Sequence, residues 1–136
     1  MSDNSITAAP VGKIRKRILL VEDEASLRKV LAHVLTHCGY DVLQADDAEF
    51  ALVVLRQQPV DLVITDILLG AKDGIEMLME MKHVAKGTPF IAMSGGGRME
   101  AAHYLDVAKA LGAHAVLPKP FGHENLIAAV RSAVGE

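Results

Sequence analysis

The chain has no tryptophan, a single cysteine, and only two tyrosines and three phenylalanines among its 136 residues. One thiol, Cys38, excludes an internal disulfide framework and suits a reducing compartment. No apolar run approaches the roughly 18 residues that span a bilayer, and no apolar signal core opens the chain. Positive charge is not in excess either. Fourteen Lys and Arg against 17 Asp and Glu give a net charge of -3, which removes the basic footprint expected of a nucleic-acid binder. Together these absences predict a cytoplasmic protein with no membrane or nucleic-acid partner.

What is present is an apolar half made mostly of Ala, Val, Leu and Ile, the composition of a sheet packed between helices. The length suits one domain with a real core. Residues 1–16 are polar, small or basic and read as a flexible N-terminal tail, leaving 17–136 as the folded domain with no output domain after it. From Ile18 onward, apolar runs alternate five times with helical patterns. Leu27, Val30, Leu31, Val34 and Leu35 mark an apolar helix face that stops at Cys38-Gly39. The segment 40–44 follows as a strand, less uniformly apolar and hence nearer an edge. Asp46-Asp47 can cap a helix that runs to Pro59, and a third strand covers 60–65. Asp73-Gly74 opens a helix with Ile75, Leu78 and Met81 inward; a fourth strand, Phe90 to Met93, leads into Ser94. A helix over about 98–111, a strand over 113–117 and a helix over 123–134 complete the pattern. Five βα units with right-handed crossovers make an α/β, doubly wound, five-stranded parallel sheet with helices on both faces. The flavodoxin-like order 2-1-3-4-5 puts strands one, three and four at the centre.

In such a sheet the ligand site lies beyond the carboxyl ends of the strands. Four apolar runs lead there into polar residues: into Glu22-Asp23, Asp66, Ser94 and Lys119-Pro120. Three carboxylates, a hydroxyl and an ammonium would then share one crevice. An ionised Asp66 carboxylate can attack phosphorus in line and form an acyl phosphate. Carboxylates crowded together repel, and a bound Mg2+ relieves the conflict through oxygen ligands. Asp23 and Asp66 are the candidate direct ligands, Glu22 acts through a bound water, and the backbone carbonyl of Leu68 is within chain reach. Lys119 and Ser94 supply a charge and a hydrogen bond for phosphoryl oxygens. Pro120 allows a cis bond after Lys119. Singly, each residue has a plainer explanation as a cap, a turn residue or loop chemistry. Their joint placement at four strand ends is poorly explained by chance.

These residues closely resemble the receiver (response regulator) domain of two-component signalling, over nearly all of Arg17 to Val134. Glu22-Asp23 is similar to the family's acidic pair, Asp66 to its phospho-accepting aspartate, Ser94 to its switch Ser/Thr, and Lys119-Pro120-Phe121 to its Lys-Pro-Phe signature. Asp73-Gly74 lies at the family's usual distance beyond that aspartate. The resemblance implies Mg2+-dependent phosphorylation of Asp66 from a phosphohistidine on a sensor histidine kinase or histidine phosphotransfer protein, with small acyl phosphates as substitutes. It implies a stand-alone receiver that signals to a downstream protein target or relays the phosphoryl group, as a monomer or a phosphorylation-dependent homodimer. Such a protein catalyses its own phosphorylation and dephosphorylation without turning over an external substrate. The surface of helix four, strand five and helix five often binds partners in this family.

Some positions depart from the family pattern. Gly70 stands where proline is common, and Val116 where many receivers carry a switch Tyr or Phe, with Tyr104 as a possible substitute. The segment between Ser94 and Lys119 is a few residues longer than usual, and Pro118 falls inside strand five, tolerable at an edge. Two other readings compete. An aspartyl-phosphate phosphatase would want an acid two positions after the nucleophile, where this chain has Leu68. A receiver-shaped interaction module would never carry phosphate. His33 and His37 share a helix face next to Cys38, but without a third ligand they read as solvated histidines. Met77, Met79 and Met81 cannot all face inward, and Leu126, Ile127, Val130 and Val134 read as the core face of the last helix.

Overall fold

The computed structural model describes residues 15–67, 74–95 and 106–136. Five strands, β1 (Arg17–Val21), β2 (Asp41–Ala45), β3 (Leu62–Asp66), β4 (Phe90–Gly95) and β5 (Ala115–Lys119), form one parallel sheet in the order 2-1-3-4-5. The helices are α1 (Ala25–His37), α2 (Ala48–Gln57), α3 (Gly74–Val84), α4, of which residues 106–110 are described, and α5 (His123–Val134). The doubly wound architecture and the central place of β1, β3 and β4 agree with the sequence. So does the edge position of the less apolar β2.

Alternation along each strand divides the core in two. Leu19 and Val21 of β1, Val63 of β3, and Phe90 and Ala92 of β4 pack against α2, α3 and Ala108 of α4. Ile18, Leu20, Leu62, Ile64, Ile91, Met93 and Leu117 pack on the other face against α1 and α5. Burial on both faces is why the strands read as continuous apolar runs rather than as an alternating pattern.

Local chemistry sets the helix ends. Asp47 caps α2, its carboxylate accepting from the Phe50 amide at 2.8 Å. Gly39 after α1 takes a φ of 98°, in the left-handed region that glycine enters without a Cβ clash. On α3, Met77, Leu78 and Met81 are buried and Met79 faces solvent at 55% exposure, which answers which methionines could face inward. Some details differ from the sequence reading. Val30 on α1 is 48% exposed rather than part of the core face, because Leu31, Ala32 and Leu35 fill the contact with the sheet. Ile127 on α5 is only partly buried for the same reason: Leu126 and Val130 take the central positions, with Ala129, Ala133 and Val134 beside them. β3 and β5 sit one or two residues later than expected, since Asp66 and Lys119 still belong to their strands' ladders. Pro118 lies exposed on edge strand β5, where its missing N–H is tolerated. The expected N-terminal tail, apart from residues 15 and 16, lies outside the described residues, as do Leu68, Gly70, Asp73 and Tyr104. Among the described residues no helix is long and apolar enough to cross a membrane.

Candidate functional site

Side-chain parity brings the charged residues together. In β1, Ile18 and Leu20 point to the α1/α5 face, and the next position of that parity is Glu22. Leu62 and Ile64 lead in the same way to Asp66, and Leu117 to Lys119. Strands one, three and five thus deliver two carboxylates and an ammonium to the same face at the same end of the sheet. Ser94 has the parity of Phe90 and Ala92 and enters from the α2/α3 side of β4.

The Lys119 Nζ donates to Asp66 Oδ2 at 2.6 Å and to Glu22 Oε1 at 2.7 Å. Glu22 is 1% exposed and Asp66 4%. Burial pushes the Glu22 carboxyl above the usual carboxylate range; the bonds from Lys119 and the Glu24 amide oppose the shift, and the Asp66 charge adds to it. Burial alone would pull the Lys119 ammonium down, but its bonds to Asp66 and Glu22 outweigh that, and it stays charged above its ordinary value. The peptide bond after Lys119 is cis.

Glu22 is pinned on every side. Its amide donates to Ala45 O at 3.0 Å, and its Oε2 accepts from the Glu24 amide at 3.1 Å. Its main-chain carbonyl accepts from Arg28 Nη1 at 2.8 Å. Arg28 is a residue the sequence reading did not single out. Its position one turn into α1, six residues past Glu22, is the only signal that would have drawn attention to it. Next to Asp66, the Thr65 hydroxyl donates to the Asp66 carbonyl at 3.0 Å, and the Ile67 amide donates to Met93 O at 3.0 Å, which fixes the end of β3 against β4.

Asp23 is exposed, and carboxylate oxygens of Glu22, Asp23 and Asp66 lie within 4.8 Å of one another. Oxygens that share one Mg2+ at about 2.1 Å lie at most about 4 Å apart, so small side-chain adjustments bring this set to a hard octahedral cation. All the donors are oxygens, which favours Mg2+ over softer metals. The fourth expected ligand, the Leu68 carbonyl, lies outside the described residues. Ser94 Oγ is fully buried and has no hydrogen-bond partner among the described residues. A buried hydroxyl left unpaired costs about 1–3 kcal/mol. Val116, expected in place of an aromatic switch, is partly buried against the α2/α3 core. His33 and His37 stack at a centroid distance of 6.1 Å on the exposed side of α1, and neither belongs to a cluster of three metal-ligating residues among those described.

Comparison with known proteins gives this arrangement its relatives. The model of the response regulator receiver domain matches residues 18–131. The chain is 37% identical over 116 residues to the transcriptional regulatory protein CpxR of Klebsiella pneumoniae, which covers 85% of this chain and 48% of CpxR. The solved structure of the chemotaxis response regulator CheY4 of Vibrio cholerae is similar, with a TM-score of 0.77 and 27% identity, covering 88% of this chain and 99% of that one. NtrX from Brucella abortus is 31% identical with a TM-score of 0.81, covering 90% of this chain and 27% of NtrX. The chain spans about half the length, or less, of the curated relatives it matches. With the sheet order, the buried Glu22–Lys119–Asp66 cluster and the family match in agreement, this chain belongs to the response regulator receiver domains of two-component systems.

Proposed function

We propose that this chain is a phospho-accepting receiver in which Asp66 takes a phosphoryl group from a phosphohistidine on a sensor kinase or phosphotransfer protein. It then signals by protein contact or passes the group on. The observation that carries this reading is the convergence of Glu22, Asp66 and Lys119 from three strand ends into one buried cluster. Nothing in the packing of a doubly wound core calls for two buried carboxylates there, and they carry a desolvation cost that a structural role would not repay.

The chemistry follows from the positions. Lys119 holds one oxygen of Asp66 and so fixes the plane of the carboxylate that attacks phosphorus. As the Asp66 oxygen–phosphorus bond forms, the donor's nitrogen–phosphorus bond breaks and its electron pair stays with the imidazole. Lys119 then lies beside the transferred oxygens, and the Ser94 hydroxyl, without a partner among the described residues, can donate to one of them. Glu22, Asp23 and Asp66 would hold the Mg2+ that receiver domains typically bind, which when present neutralises charge on the phosphoryl group. An apolar cavity of about 200 Å³ beside Lys119, lined in part by Leu27, half-exposed Val30 and Phe121, offers a partner an apolar contact next to the site. The added charge on Asp66 draws Ser94, near the end of β4, toward it.

This reading makes the chain a signalling receiver that does not turn over an external substrate. A receiver fold used only for binding is the competing account. Intact-protein mass after incubation with acetyl phosphate decides between them. Wild type gains one phosphoryl mass only with Mg2+, and Asp66→Asn gains none. No adduct on wild type, with small-molecule and kinase donors alike, overturns the proposal. An adduct on Asp66→Asn means that another residue is the acceptor.

A further inference from the structure

Arg28 has no place in the chemistry above, and its position is not explained by the helix that carries it. It is the fourth residue of α1, whose first turn holds no acidic side chain. The helix macrodipole places partial positive charge at that end, so a cation there is disfavoured by the helix itself. Yet the side chain is half-buried, turned back toward the sheet, and donates at 2.8 Å to the main-chain carbonyl of Glu22. That carbonyl belongs to the peptide unit joining Glu22 to Asp23, two of the three carboxylates in the cluster. Each of the other polar groups of Glu22 is also held: its amide by β2, one carboxylate oxygen by Lys119 and the other by the Glu24 amide two residues on. Arg28 closes the set and fixes the peptide plane from which the Asp23 side chain departs.

We propose that Arg28 is a positioning residue for the metal site, holding the Glu22–Asp23 peptide so that both carboxylates present their oxygens to one cation. This rests on the reading of the acidic cluster as a Mg2+ site. Two effects of the guanidinium oppose each other. Its charge, near the carboxylates, repels a divalent cation, while its hydrogen bond organises the ligands that bind it. Partners that orient metal ligands are generally worth 10- to 100-fold in affinity, whereas a single partly solvated charge contributes less at physiological salt. Organisation should therefore win.

The test is Mg2+ binding by isothermal titration calorimetry on wild type, Arg28→Met and Arg28→Lys, with urea unfolding in the absence of metal as the control for folding. Arg28→Met should bind Mg2+ about tenfold more weakly, although the repelling charge has gone. Arg28→Lys, which keeps the charge but has a shorter reach and a single donor group, should also bind more weakly than wild type. If Arg28→Met does not fold, Arg28→Lys carries the test alone, and unchanged affinity in it overturns the proposal. Affinity equal to or tighter than wild type in Arg28→Met also overturns it, and leaves a charge that merely repels the ion or a structural contact. A wild type that binds no Mg2+ at millimolar concentration removes the metal reading itself and this proposal with it, an outcome distinct from a loss confined to the variants.

Discussion

At the scale of single residues, the site is held by contacts that do not all favour the unphosphorylated fold. Ser94 is the clearest case: a fully buried hydroxyl with no partner among the described residues. Ser94→Ala should leave the unmodified protein as stable as wild type or more stable by about 1 kcal/mol, measured by urea unfolding. The same variant should still accept phosphate on Asp66 but lose the conformational response to it, read as amide shifts at the end of β4. Lys119 behaves in the opposite way. Lys119→Met strips the counter-charge from Glu22 and Asp66 and should destabilise the metal-free protein by about 3 kcal/mol at neutral pH. Because burial already raises the Glu22 pKa, that loss should shrink as the pH falls and Glu22 takes up its proton. Parallel urea titrations of variant and wild type at neutral and acidic pH would show the difference narrowing. Glu22, Asp23, Asp66 and Lys119, which the structure brings together, were legible from the sequence because each stands where an apolar run ends. Arg28 was not, because nothing in a helical pattern distinguishes a cation that turns back to a carbonyl from one that points to solvent.

Elements obey simpler rules. α2 begins at Asp47 because a carboxylate there satisfies an otherwise open amide, so Asp47→Ala should cost about 1 kcal/mol in urea unfolding. Since Asp47 is not one of the carboxylates of the acidic cluster, phosphorylation at saturating Mg2+ should be unaffected. Helix and strand types came through from the sequence, and α5 has the bounds its pattern predicted. Strand ends shifted by a residue or two, because a polar residue such as Asp66 ends the apolar signal while its backbone continues to pair with β4. Val30 and Ile127 fit the helical period yet missed the core. Periodicity marks a face about a hundred degrees wide, and only the crossing of helix over sheet decides which residues occupy its centre.

At the scale of the whole molecule, one contact ties the residue ahead of β2 to the segment after α5. Tyr40, just ahead of β2, is buried and donates to Glu136 Oε1 at 2.7 Å, after the end of α5. Burial, then the Glu136 hydrogen bond and charge, push the phenol from 10.0 to about 12. A raised acid pKa keeps the proton in the folded state after the unfolded chain has lost it, so stability from this group is constant below pH 10 and falls between about 10 and 12. Tyr40→Phe should remove that part of the alkaline decline: wild type and variant should differ by a fixed amount up to pH 10 and converge above it, as followed by urea unfolding at stepped pH. The sequence by itself determined the layer architecture and marked candidate residues at the strand ends, because the first follows from hydrophobic period and the second from which polar residues stop each run. The strand order 2-1-3-4-5 was the flavodoxin-like one expected of such a chain, and the sheet has it. Only the tertiary structure decided that Glu22, Asp66 and Lys119 share one face, that Ser94 has no partner among the described residues, and that Arg28 grips the acidic pair. Those facts depend on side-chain parity and register between strands distant in sequence, and on burial, which exists only once both faces of the sheet are covered.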